Sequence, residues 1–359
     1  MRVYLDDASS APVLPEVAAA LRSLPAANPS SPHTEGREAR AAMDRARDAA
    51  AASLGAKRTE ITFTSSGTEA VNLALFGVSG PLVTWAAEHQ AVLGAARRMQ
   101  AIGRKVTIAN VDATAAVDVS AIHPGTALVS VGLANNEVGT VQPVAEVIAR
   151  AHDVGALVHL DACAGPRWIA IPKGADLVSI SGHKLGGGGG GILFVKDGVR
   201  IEPLLYGGPQ EWGRRAGHED VAAATGVAVA LAVSTRDRER RSIDATRQSQ
   251  SLRAALHELG ATMTGAEQGL PNSASCTFAG RKGEDMLLTL DLAGIAASSG
   301  SACASGSLDP SHVLLAMGMS MDEAQGSLRL TTGYATTDDE IDIAIAVLRK
   351  VFSKASVSA

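Results

Sequence analysis

The sequence predicts an α/β protein: a large domain on a mostly parallel central sheet, followed by a smaller α+β C-terminal domain. Three observations carry this. At 359 residues the chain is long enough for about two domains. Between residues 60 and 195, short apolar runs rich in β-branched residues alternate with helical patterns, the order that builds a parallel sheet covered by helices. Beyond residue 260 the order changes to short strands mixed with helices.

Along the chain, residues 35–56 form an amphipathic helix, because Ala39, Met43, Ala46, Ala50 and Leu54 recur at helical spacing with Arg and Asp between them. EITFT (60–64) is a strand, and SSGTEAVNLALF turns from it into a helix. PLVTW, KVTIANV and TALVSVGL are strands; QPVAEVIARAHDVG is a helix ended by Gly155. ALVHLDA, ADLVSIS and GILFV are further strands, and 220–260 is helical with its charge in the second half. SASCTF, IAASSG and SLRLTTG are short strands among helices at GEDMLLTLDLAG, PSHVLLAMG and TTDDEIDIAIAVLRKVF. The expected division is a large domain at 12–240 and a small one made of 1–11 and 241–359, with the first residues packed on the latter.

Composition narrows the function. The formal charge of −5 lacks the basic excess of a general nucleic-acid binder. No apolar run reaches the roughly 18 residues of a membrane span, and MRVYLDDASSAP carries acids where a secretory leader needs a basic head. The three cysteines, Cys163, Cys276 and Cys303, show no CxxC spacing and fit a reducing cytoplasm. The histidines show no metal-ligand spacing, so no metal is expected.

Chemistry-bearing residues gather at strand ends, where open α/β sheets bind ligands. In TSSGTEAVN (64–72) a strand meets a helix start at Gly67 and Thr68, either a phosphate site or a capped helix. Asp161 ends the strand of VHLDACAG; it suits the protonated nitrogen of a pyridine ring, or a cap or structural ion pair. Lys184, in SISGHKLGGGGGG, follows a strand and suits a Schiff base, unless it is a surface lysine on a hairpin. Cys303, in SSGSACASGS, is a thiol among small polar residues: a nucleophile once ionised, or an incidental surface cysteine. Cys163 and Cys276 sit in strand patterns and are expected to be buried small apolar residues. His89, after an acid in TWAAEHQAV, suits stacking and proton exchange or a structural role. Arg329, in GSLRLTTG, needs an anion, from a substrate carboxylate or from a structural acid.

Together these stretches resemble the cysteine desulfurases, fold-type I pyridoxal-phosphate enzymes of the class V aminotransferase group. YLDDASSAPVLPEV, NPSSPHTEGREAR, ITFTSSGTEAVNLAL, AAEHQAVL, ANNEVGTVQP, HLDA, SISGHK and SSGSACASGSLDPSHVLLAMG follow in that family's order, nearly end to end. The resemblance implies pyridoxal 5'-phosphate held covalently by Lys184, which also moves the Cα proton. It implies that Asp161 pairs with the ring nitrogen and His89 stacks on the ring. Gly67, Thr68, Ser181 and His183 would surround the phosphate, and Asn136 and Arg329 would orient the substrate. Cys303 would take sulfur from L-cysteine as a persulfide, leaving L-alanine, and deliver it to an acceptor protein; the spacing from Cys303 to PSHVLLAMG resembles the long-loop group. A homodimer is implied, because the family builds each site from two chains.

Some positions depart from the family. Ala164 stands where a glutamine usually meets the cofactor's ring oxygen, and GGPQEWGRRAGHED (207–220) keeps Arg215 but has Ala216 and His218 at the usual serine and threonine. That threonine reaches the partner subunit's cofactor phosphate, a contact His218 would make here. Two other functions fit: a carbon–sulfur or carbon–selenium lyase acting on selenocysteine or a cysteine conjugate, and a partner-binding relative with little turnover.

Overall fold

The computed structural model describes residues 2–300 and 310–353. The chain opens with β1 (Val3–Tyr4) and α1 (Pro15–Arg22), whose proline sits in the first helical turn, where no backbone donor is needed. Helix α2 (Thr34–Leu54) buries the predicted stripe, from Ala39 through Met43 and Ala46 to Ala50, and stops at Gly55 in the left-handed conformation.

The strand–helix alternation then follows. β2 (Ile61–Thr64) leads into α3 (Gly67–Gly77), β3 (Leu82–Trp85) into α4 (Gln90–Ala101), and β4 (Val106–Ala109) toward β5 (Leu128–Gly132). Next come α5 (Val144–Asp153), β6 (Leu157–Asp161), β7 (Leu177–Ser181), the single turn α6 (Gly182–Leu185) and β8 (Gly191–Val195). These strands form one seven-stranded sheet in the order β2-β8-β7-β6-β5-β3-β4. The pairs from β7 to β4 are parallel, while β8 runs antiparallel to both neighbours. The reversal has a simple cause: the link from β7 to β8 is one helical turn and a glycine run, too short for a crossover.

Both faces of the sheet are covered, as parallel strands require. One face packs Met43, Val147, Val227 and Leu231 of α2, α5 and α7 (Val221–Glu258) against Val131, Val158 and Ile180. The other packs Leu73 and Met99 of α3 and α4 against Leu128, Leu177 and Leu193. The glycine run is not a free hairpin. A Cβ on Gly187 would lie 2.8 Å from the Gly226 carbonyl oxygen, and one on Gly190 2.8 Å from that of Ala223, so only glycine lets this strip lie on α7.

The remaining elements are β9 (Thr262–Met263), β10 (Ser273–Thr277), α8 (Gly283–Leu292), β11 (Ile295–Ala296), α9 (His312–Ala316), α10 (Met321–Gln325), β12 (Ser327–Thr331) and α11 (Asp338–Ser353). β12, β10 and β9 make an antiparallel sheet, and β1 pairs with β11. Val3 and Leu5 join Leu252, Leu256, Leu328 and Leu348 in a separate apolar core. Helix α7 runs unbroken through residue 240, its first half on the central sheet and its last turns in this second core.

Candidate active site

The carboxyl ends of the parallel strands open into a cavity of about 240 Å³, where Trp85, Gly132, Asp161 and Ser181 close β3, β5, β6 and β7. Gly67, Thr68, His89, Asn136, His183, Lys184 and Arg329 also line it, so one wall system brings together nearly all of the residues expected to act.

Asp161 is 7 % exposed, and its Oδ1 accepts the backbone N–H of Cys163 at 3.0 Å. Among the described residues no cationic side chain forms a salt bridge with it, unlike the buried Asp7, which Arg167 neutralises at 2.6 Å. A buried carboxylate facing a cavity without a cation suits a ligand that brings a charged donor. Glu88 lies close by: Gly132 pairs with Asp161 across the sheet, and the Gly132 N–H donates to Glu88 Oε1 at 3.0 Å. Burial, with Asp161's charge adding to it, pushes the Glu88 carboxyl up to about 8, so this acid is largely protonated at neutral pH.

His89 caps α4, its Nδ1 accepting the Ala91 N–H at 3.0 Å. The cap leaves Nε2 as the proton-bearing nitrogen of the neutral ring, and burial followed by the Lys184 charge holds the ring's pKa below the usual histidine range. The structural reading of His89, as a helix cap, thus leaves its Nε2 side free to face the cavity. Lys184 is half-buried on α6, directly after β7, and Ser181 Oγ lies 2.8 Å from His183 Nδ1 beside it.

The start of α3 meets the cavity at Gly67. Ser66 Oγ accepts the Glu69 N–H at 3.3 Å, which leaves the first-turn amides of Gly67 and Thr68 for an anion. A Cβ on Gly67 would lie 2.5 Å from Cys163 Sγ and 2.9 Å from Ser181 Cβ, so the cradle closes only on glycine. Arg215 does not reach the cavity; it pairs with Glu69 on the same helix at 2.6 Å.

Arg329 has the structural acid that was one of its two expected partners. It is buried on β12, where it meets Asp6 Oδ1 at 3.0 Å and donates to the Asn136 carbonyl at 2.8 Å, while its buried Nε has no partner among the described residues. It thus fixes Asn136 and keeps one donor in reserve. His218 is not part of this cavity. It is exposed in a separate surface hollow with Leu205, Tyr206 and Ala216. Cys303 lies outside the described residues.

Cys163 corrects the sequence reading. It sits past the end of β6 and lines the cavity; it is not strand core. Burial, then Asp161's charge, pushes its thiol well up, so it stays protonated. Cys276 is the expected buried residue, on β10, pushed up to about 12. Cys163, Glu88 and Glu137 were missed as site residues, although each lies within two residues of one that was singled out. Ala164 lines both this cavity and a second chamber of about 30 Å³ walled by Asp7 and Arg167.

An unpaired carboxylate, a lysine one turn past the neighbouring strand, and a glycine-edged anion cradle form a donor set that fits a pyridine aldehyde bearing a phosphate. Fold and site together define a fold-type I enzyme. The aminotransferase class-V family profile matches residues 3–343, and the chain belongs to that family, whose cofactor is pyridoxal phosphate. Within it the chain belongs with the cysteine desulfurases. It is 37% identical over 98% of its length to the cysteine desulfurase IscS of Dictyoglomus turgidum, covering 95% of that protein. Among solved structures, a NifS-like protein from Rickettsia africae superposes with a TM-score of 0.90 at 29% identity, over 98% of this chain and 100% of that one. A protein named SspA, solved in complex with cysteine, superposes with a TM-score of 0.81 at 30% identity, over 93% and 100%.

Proposed function

We propose that this chain converts L-cysteine to L-alanine and passes the sulfur, through a persulfide on Cys303, to an acceptor protein. The observation that carries the reading is that Lys184 and an Asp161 without a cationic partner face one cavity. Pyridoxal phosphate, when bound, supplies an aldehyde for the lysine and a ring that withdraws electrons from the substrate Cα.

The residues divide the remaining work. Gly67 and Thr68 would hold the phosphate with backbone amides, with Ser181 and His183 beside it. Asp161 would pair with the ring nitrogen, and His89 would cover the ring. Asn136 and the open Nε of Arg329 take the substrate carboxylate. The Lys184 amine, on the same cavity, would take the substrate Cα proton and return one to the product. The Cys303 thiolate attacks the substrate sulfur: its S–S bond forms as the substrate C–S bond breaks, giving alanine and a persulfide with no external oxidant. Cys163 cannot substitute, because its thiol stays protonated.

A homodimer belongs to the same reading. Tyr206, at 80% exposure, and Leu205 line the hollow around His218, a surface suited to a second copy whose phosphate His218 would meet. The free Cys163 and Cys276 suit a reducing compartment, and the cytoplasm is the proposed location. The chamber beyond Ala164 favours a second reading, a lyase acting on selenocysteine or an S-substituted cysteine. Rates on cysteine, selenocysteine and S-substituted cysteines separate the two, and a clear preference for plain cysteine rejects the lyase.

The main test is alanine release from cysteine by the cofactor-loaded protein and by Cys303→Ala. The variant is expected to keep the yellow cofactor colour and lose alanine release. Release at the parent rate would sink the assignment of the nucleophile.

A further inference from the structure

We propose that Glu137 is a positioning residue for sulfur transfer: its buried carboxyl clasps the two stems between which the segment carrying Cys303 runs. This rests on the reading of Cys303 given above. Glu137 is 3 % exposed, and its Oε2 accepts the Ser311 hydroxyl, while His312 Nδ1 lies 3.9 Å from Oε1. The departing stem meets the same oxygen. A Cβ on Gly300 would lie 2.6 Å from Glu137 Oε2 and 2.8 Å from Ser311 Cβ. Chain that leaves at Gly300 therefore returns at Ser311 against one carboxylate.

Each stem is tied to the site. Ser298 exchanges both backbone hydrogen bonds with Arg329, at 3.1 and 2.7 Å, and the Gly300 N–H donates to Ser327 Oγ at 3.2 Å. On the returning side Ser311 caps α9, and His312 Nε2 donates to the Glu88 carbonyl at 2.9 Å, one residue before His89. Gln90 donates to His312 Nδ1 at 3.1 Å, which fixes that tautomer. Glu137 is itself held by Asn135 Oδ1, which accepts its N–H at 2.9 Å, next to the Asn136 that Arg329 grips. Three peptide links join Gly300 to Cys303, so covalent geometry alone keeps their Cα atoms within about 11 Å. Where Gly300 is fixed thus limits where the thiol can reach, and Glu137 fixes Gly300 relative to the substrate residues.

The experiment uses the cofactor-loaded protein with Glu137→Ala, Glu137→Gln and Gly300→Ala. Three quantities are read: the absorbance change on mixing with cysteine, single-turnover persulfide on Cys303 by mass, and the rate of Cys303 alkylation by iodoacetamide. Glu137→Ala and Gly300→Ala are expected to keep the cofactor band and the cysteine-induced change within about twofold of the parent. Persulfide formation is expected to slow by about tenfold or more, as misplacement of a reacting group does, with altered alkylation. Glu137→Gln, whose amide oxygen still accepts from Ser311, falls between. Persulfide formation and alkylation at parent rates in Glu137→Ala overturn the proposal. So does loss of the cofactor band in all three variants, because the carboxyl then supports the whole site. If the parent itself forms no persulfide, the proposed function fails, and unchanged alkylation then separately refutes the clasp.

Discussion

Gly67→Ala tests the anion cradle directly. The added methyl would arrive 2.5 Å from Cys163 Sγ and 2.9 Å from Ser181 Cβ, both inside van der Waals contact. Neither neighbour can yield easily: Ser181 is 2 % exposed at the end of a central strand, and Cys163 is held through its N–H by Asp161. Overpacking of this kind costs about 1–3 kcal/mol. If that cost falls on the cofactor-bound geometry, affinity weakens by about 5- to 150-fold. Spectroscopic titration of the cofactor-stripped protein with pyridoxal phosphate measures it. The double variant Gly67→Ala/Cys163→Ala removes the closer clash and leaves the other, so it is expected to recover part of the loss; the four-way cycle gives the coupling. Parent-like affinity in Gly67→Ala, or no recovery in the double variant, would refute the cradle geometry.

Two further outcomes follow from buried acids. The Glu88 carboxyl sits at about 8 in the folded protein against 4.5 as a free side chain, so the folded state keeps a proton that the unfolded chain has lost. Stability from this group is therefore full below about pH 4.5 and falls as pH rises toward 8, by up to about 5 kcal/mol for the whole shift. Glu88→Gln lacks that slope, and unfolding free energies measured from pH 5 to 9 should converge on or pass the parent's at the alkaline end; parallel profiles contradict the assignment. Arg47 forks onto Glu211 with two 2.8 Å bonds in the interior, over the rings of Phe63 and Trp212. Glu211→Gln leaves that guanidinium only its longer 3.9 Å pairing with Glu219 and should cost about 3 kcal/mol in denaturant unfolding, and an unchanged midpoint refutes it.

The alternation of apolar strands with helices was legible because inner strands such as β5 and β7 are buried on both faces and so read as continuous apolar runs. The stripe of α2 was legible for the same kind of reason, its period being that of the helix. Strand ends then pointed to Gly67, Asp161 and Lys184, since ligands bind where such strands stop. The strand-like run of β8 does not by itself carry a direction; the antiparallel pairing comes from the short link after β7, one helical turn and a glycine run. The sequence could not show that Cys163 leaves the strand for the cavity, because a thiol in an apolar run looks the same on either side of a strand's last residue. Glu88 and Glu137 stayed hidden for a related reason: a carboxyl's role is set by what surrounds it, and their neighbours lie 44 and 174 residues away, at Gly132 and Ser311. Local pattern thus determined the strands, the helices and the chemical types available at their ends. Packing between distant segments alone decided which of those groups share one cavity, and which acids there stay protonated, because burial and contact between remote residues exist only once the chain has folded.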